Sequence, residues 1–487
     1  MIIFYLIMDF PLFHLDFIGN RMLIAVIAVT HVLINHSLAV GFLPFVTILE
    51  YIGFKERKID LGNAIRWDEM TRKIMFVGFI ITTSLGAMTG VGIWLAASLV
   101  NPASIGSLIR VFYGAWFTEW IVFVLEVVFI MTYYLTWKRS NDSDNAKKKH
   151  IAFGAFLSLF TWLTMAIIVA ILGFMMDPGS WLNDGTFLSG VMNPLYLPQL
   201  YFRTPLSMMM GGAFGLFLML FFVKKNSPVR KRAVQFASFW LLIWSPVAFA
   251  GAYVYYLQIP DLMVGNLPTA VATMAFADWY DTLLEVIIGA VTLSFVIALI
   301  GFLAPRKLPR AAMIIPILAL FVFLGTFERI REFIRKPYVI GEYMYANGLR
   351  AEDYPLFKKD GLLRHATYSE IDEVREDNII RAGEEVFRLA CSRCHTVSGI
   401  NSVVMKFSHM AGEGKRLDPK FMREYIPRMH KVWYYMPEFP GNDKELEAIV
   451  KFILSREDNP LPVKGEQERI TPVSIHNSFN NYSSEKK

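Results

Sequence analysis

Long apolar runs dominate residues 1–330. Eight stretches, at about 20–50, 72–100, 111–137, 150–176, 204–223, 232–257, 279–303 and 311–330, stay apolar for the length of a membrane crossing. They exceed ordinary core helices, and Gly and Pro occur within them as membrane helices tolerate. At residue 331 the pattern changes. Residues 331–376 are charged and aromatic with few apolar runs, which predicts a linker over the membrane surface. Helical periodicity returns at about 377–391 and 442–456, where Leu446, Ile449, Val450 and Ile453 fall on one face. A small helical domain over 377–458 follows. Residues 459–487, rich in Asn and Ser, predict a mobile tail. No internal repeat is present. The fold class is therefore all-α: a polytopic membrane bundle of about eight helices over 1–330, plus a small α-helical domain.

Charge orients the bundle. The chain is 54% hydrophobic with a net charge of +6. The turns after helices one, three, five and seven hold Lys55, Arg57, Lys58, Arg66, Arg72 and Lys73; Lys138, Arg139 and Lys147 to Lys149; Lys224, Lys225, Arg230, Lys231 and Arg232; and Arg306, Lys307 and Arg310. The opposite turns hold only Arg110 and Arg203. By the positive-inside rule the first set is cytoplasmic and both termini lie outside. Topology thus accounts for the net charge, and nothing supports nucleic-acid binding. Residues 1–20 lack a basic start and contain Asp9, Pro11 and Asp16, unlike a cleaved signal peptide. They are expected along the interface.

The small domain carries the clearest chemistry. Cys391-Ser392-Arg393-Cys394-His395 has the spacing of a c-type haem attachment site, with two thiols for the haem vinyl groups and His395 for the iron. These are the only two cysteines, and a zinc site would need further soft ligands nearby. Met436, in Tyr435-Met436-Pro437-Glu438-Phe439-Pro440, is the candidate for the other axial position, held by two stiffening prolines. His409, His430, Met405, Met410, Met422 and Met429 are rivals, each more simply read as core or surface. The region resembles a class I cytochrome c. Haem c attachment takes place outside the cytoplasm, on the side where charge also puts the C-terminus.

Ionisable groups at bilayer depth are functional candidates. His31 and His36 share the first helix but differ by about 140° around it, so they cannot face one metal without distortion. Glu119 and Glu126 lie on one face of the third helix, about 10 Å apart, a spacing that suits a ligand plus a proton-relay group. Glu285 lies in the seventh helix. Glu328 and Glu332 end the eighth amid Arg329, Arg331 and Arg335. Paired structural charge is the alternative for each carboxylate. His36 with Met208-Met209-Met210 could be a copper site, but consecutive methionines point in different directions and packing explains them more simply.

These residues and their surroundings resemble subunit I of cytochrome bd oxidases over about residues 15–340. The carriers are His31 leading to Gly41 and Glu50, Trp67-Asp68-Glu69-Met70-Thr71-Arg72-Lys73, Gly86-Ala87-Met88-Thr89-Gly90, Gly114-Ala115-Trp116-Phe117-Thr118-Glu119, Asn193-Pro194 and Glu332-Phe333-Ile334-Arg335-Lys336-Pro337-Tyr338. The resemblance implies that His31 is axial to the active-site haem, that Glu119 and Glu126 lie beside it, and that Glu332 holds a second high-spin haem. One or two non-covalent haems of b or d type would accompany the covalent haem c. There are departures. The glutamates of the third helix are seven apart where the family usually has eight. The fifth helix begins Tyr201-Phe202-Arg203-Thr204-Pro205, without the histidine of the family's low-spin haem. The methionine of the seventh helix is replaced near Leu284 and Glu285, and the loop at Leu257–Asp278, where the family binds quinol, bears no basic residue.

The expected function is a bd-like terminal oxidase of the inner membrane. It is fed through the haem c domain on the periplasmic side and works with a second membrane subunit. A soluble periplasmic electron donor or acceptor is its expected partner, and O2 its expected substrate. Nitric oxide reduction is a close variant. The alternative from another class is a non-catalytic electron-transfer subunit linking a periplasmic oxidoreductase to the respiratory chain.

Overall fold

The eight apolar runs become eight helices because a chain in hydrocarbon must satisfy its own backbone polar groups. A computed structural model describes residues 12–224, 226–271, 280–412 and 415–457. The expected tail, most of the leading segment and the end of the loop before the seventh helix lie outside the described residues. The spans are α1 (Asn20–Glu56), α2 (Leu61–Val100), α3 (Pro102–Thr136), α4 (Asp144–Met176), α5 (Tyr196–Phe222), α6 (Arg230–Gln258), α7 (Asp281–Leu303) and α8 (Ala311–Ile334). Their starts follow ordinary capping: Asp60 accepts from Asn63 N–H at 3.0 Å, Ser143 from Ala146 N–H at 3.1 Å, and Pro102 opens α3. Residues Asn35–Val40 of α1 form a π-helical turn.

α5 is the most buried span and α3 the least. α1 and α5 cross at Gly41 and Gly211. A Cβ on Gly41 would lie 1.7 Å from the Ser207 carbonyl oxygen, so the backbones meet only because side chains are missing there. Around this crossing Phe42, Phe45, Met210, Ala213 and Leu216 form the centre of the core.

The basic turns meet at one end of the bundle. Arg57 pairs with Asp144 at 3.5 Å, Lys147 with Asp68 at 2.6 Å, Arg232 with Glu56 at 2.5 Å, and Arg230 donates to the carbonyls of Pro305 and Leu308. Arg203 is the exception to the charge pattern. Read as an outer-turn residue, it lies inside α5, which begins eight residues earlier than its apolar run suggested and carries Pro205 in its interior.

Beyond α8, a hairpin of β1 (Tyr338–Ile340) and β2 (Met344–Tyr345) packs Val339, Ile340 and Met344 on Phe112, Ile171 and Phe174 of α3 and α4. The small domain has α9 (Ile379–Ala390), α10 (Val403–Ala411), α11 (Pro419–Tyr425) and α12 (Asp443–Ser455). Its core includes Leu349, Tyr354, Phe357, Leu362, Leu363 and Ile371, from the stretch expected as a surface linker. Glu445 binds that stretch by accepting from the N–H groups of Leu362 (2.8 Å) and Leu363 (2.7 Å) while closing the α12 capping box. Short apolar spacings hid this segment's share in a core.

Candidate haem centres

α9 ends at Ala390, and the CxxCH segment turns directly off it. Cys391 and Ser392 donate their N–H groups to the Phe387 carbonyl; Cys394 and His395 donate theirs to Cys391 at 3.1 and 2.9 Å. Arg393 folds back over the helix end, where its Nη1 donates to the carbonyls of Arg388 and Leu389, meeting acceptors the helix leaves open. Burial lowers that guanidinium to about 10 and pushes the Cys391 thiol up to about 12. His395 Nδ1 donates to the Asn401 carbonyl at 3.2 Å, leaving Nε2 free. Burial first, then the Lys406 charge, lowers His395 to about 4, so the imidazole is neutral, the form that ligates iron. Both thiols are free and partly buried. The donor set fits a covalent haem.

Met436 is half-buried in a turn closed by its own N–H on the Trp433 carbonyl at 2.8 Å, and Trp433 donates to the Tyr425 hydroxyl. Among the rivals, Met422 is a core residue and Met410 packs on the same core, whereas His430 has a buried Nδ1 without a hydrogen-bond partner.

The two histidines of α1 face different neighbours. His31 Nδ1 donates to the Gly86 carbonyl at 3.2 Å, with Thr89 Oγ1 equally near, and a Cβ on Gly90 would lie only 3.1 Å from its ring. Its Nε2 stays free, as a ligand requires. His36 is fully engaged: Nδ1 donates to the Val32 carbonyl at 3.0 Å and Nε2 accepts from Arg203 Nη1 at 3.2 Å. Arg203 also binds Glu328 at 2.5 Å, and Arg331 holds the other Glu328 oxygen at 2.9 Å. Glu328 is thus a paired structural charge, and a network of α1, α5 and α8 fills the bundle where the fifth helix carries no histidine. Met209 and Met210 are members of the apolar core.

Glu126 is buried and accepts from Thr164 Oγ1 at 3.0 Å; Glu119 is half-buried on the least covered helix. Glu285 faces outward. Both oxygens of Glu332 are engaged, by Arg335 and, at 2.9 Å, by Lys336, yet its side chain stays 34% exposed, unlike those of His36 and Glu328, and its remaining lone pairs fit an iron ligand. Sequence reasoning missed a further cluster at the basic end. Glu50 accepts from the Tyr133 hydroxyl (2.6 Å), Lys147 (2.6 Å) and His150 Nδ1 (2.7 Å), while His150 Nε2 meets the Tyr133 carbonyl at 2.8 Å. Tyr133 lies seven residues after Glu126 on the same face of α3, which was the available signal.

The small domain sits on the other end of the bundle. Asp16 accepts from the N–H groups of Val397 (2.5 Å) and Ser398 (3.2 Å), and Gly399 packs on the Asp16 backbone where no side chain would fit. Tyr434 donates to the Gly265 carbonyl at 3.3 Å, and the Tyr435 ring lies 5.2 Å from that of Phe333 on α8.

Comparison with known proteins fits this geometry. Residues 378–453 match the family of cytochrome c oxidase, cbb3-type, subunit III. The fold is similar to the structure of bd oxidase from Geobacillus thermodenitrificans, with a TM-score of 0.55 and 16% identity over 72% of this chain and 95% of that one. No curated protein sequence matches. The chain is a bd-oxidase-like membrane fold fused to a c-type cytochrome domain. It is a multi-pass membrane electron-transfer protein with covalent haem c.

Proposed function

We propose that the bd-like fusion is a terminal oxidase of the inner membrane, fed from the periplasm through haem c. Cys391 and Cys394 attach that haem, His395 and Met436 hold its iron, and a His/Met pair suits a high-potential electron carrier. Non-covalent haem of b or d type is held at His31 and at Glu332, with Glu119 beside the His31 site. Bound haem supplies the iron at which O2 is reduced.

The observation that carries this reading is the free Nε2 of His31, oriented by Gly86 in an apolar site with small residues around the ring. Glu126, Thr164, Tyr133, Glu50 and His150 support proton supply from the cytoplasmic end. Both ring nitrogens of His150 lie within hydrogen-bond distance of oxygens, Nδ1 of the Glu50 carboxylate and Nε2 of the Tyr133 carbonyl, so the cluster is continuous. The exposed apolar face of α3 (Tyr113, Phe117, Trp120 and Val124) suits a second membrane subunit. A soluble one-electron protein is the periplasmic partner.

The reading as an electron conduit draws on the Arg203–Glu328–His36 network, which occupies interior space with charge pairs. Nitric oxide in place of O2 uses the same site. A CO difference spectrum of the reduced protein separates these readings: CO binding by a non-covalent haem supports the oxidase, and its absence supports the conduit. O2 against NO consumption then assigns the gas.

A further inference from the structure

We propose that the ring contact between Tyr435 and Phe333 carries electrons between the haem c domain and the membrane bundle, held in register by the Asp16 clasp. The proposal rests on the reading above, in which Met436 and Glu332 hold haem iron.

Tyr435 precedes Met436 in the chain, and Phe333 follows Glu332. The contact therefore joins the two candidate ligands through one aromatic residue on each side. The rings lie 5.2 Å apart, inclined at 53°, and Phe333 is only 8% exposed. Among the described residues, Tyr435 alone of residues 377–457 packs on the bundle's apolar core. Arg21 of α1 lies over the Phe333 ring at 5.4 Å, and Trp433 and Tyr434 flank Tyr435 at 6.0 and 5.8 Å, so both rings are fixed in place.

A second set of contacts fixes the distance. The loop directly after His395 is bound through Val397 and Ser398 to the Asp16 carboxylate, and Ile400 N–H meets the Phe17 carbonyl. Asn20 holds this leading strap by donating to the Phe13 carbonyl at 2.7 Å and accepting from Leu15 N–H at 3.0 Å. The domain is docked, so transfer needs no swinging of the domain. One electron is lost by ferrous haem c and gained by a ferric haem of the bundle. No bond breaks, no proton moves, and neither ring changes oxidation state.

The test uses the full-length, haem-loaded protein. Haem c is reduced by a flash-excited ruthenium complex, and its reoxidation is followed with reduction of the non-covalent haem in the wild type, Y435F, Y435L and F333L. Hydrogen exchange of the 396–400 amides and the haem c potential are measured alongside. Severalfold slower transfer in Y435L and F333L, near-normal transfer in Y435F, and an unchanged haem c potential are expected. Unchanged rates in both leucine variants, or equal slowing in Y435F, would overturn the proposal. If one leucine variant loosens the clasp, the other, altered across the interface, decides. Absence of transfer in the wild type would instead count against the oxidase reading itself.

Discussion

His31 and His36 lie five residues apart and meet opposite fates. His31 keeps Nε2 open because Gly86 takes its other nitrogen, and it is the residue proposed to face the gas-binding iron. His31→Ala should abolish the CO difference band while the haem c bands persist; an unchanged CO spectrum would remove His31 from the site. His36 is occupied by Arg203, which shares Glu328 with Arg331. Removing one member of such a buried set strands the remaining charges and costs about 3–5 kcal/mol. Glu328→Gln should therefore lower thermal stability sharply in detergent without changing the haem c spectrum. In the c domain, Met436→Ala should lower the haem c potential markedly. A shift of only a few millivolts would point to another ligand, with His430 the first to examine.

At the scale of elements, the helices were legible because hydropathy and length nearly determine a membrane span, and the turns grouped by their basic residues do meet at one end of the bundle. The start of α5 was not legible, since Arg203 and Pro205 both argue against a helix interior. Only the partner carboxylate of Glu328, distant in sequence, makes that charge tolerable. The segment at 349–371 was missed for a similar reason: its apolar residues complete a core whose other members come mainly from α9, α10 and α12. The α1–α5 crossing depends on absent side chains. Gly41→Leu should force the helices apart and destabilise the bundle by at least about 1–3 kcal/mol, seen as a lower unfolding temperature.

At the scale of the whole molecule, CxxCH and charge asymmetry independently predict an outward C-terminal domain, and the structure brings the N-terminal strap, the α6–α7 loop, the end of α8 and the c domain together at the end opposite the basic turns. The docking itself left no sequence signal, because Asp16 and the 397–398 amides are hundreds of residues apart. Burial raises the Asp16 pKa, but hydrogen bonds from His14, Val397 and Ser398 outweigh it and leave it below the usual 3.8. A carboxylate depressed in the folded state stabilises the docked form above its unfolded value. The clasp is thus in place at neutral pH and is lost as pH falls below about 4 through the depressed value. Asp16→Asn should raise hydrogen exchange at residues 397 and 398 already at neutral pH, and exchange in that variant should lose this acid dependence.

The central claim is that electrons collected by haem c reach a non-covalent, gas-binding haem in the bundle. A haem analysis of the purified protein, with acid–acetone extraction and a reduced-plus-CO difference spectrum, tests it most directly. The account predicts a covalent haem c that resists extraction together with extractable haem, part of which binds CO. A protein whose haem is entirely covalent and unreactive with CO would contradict it.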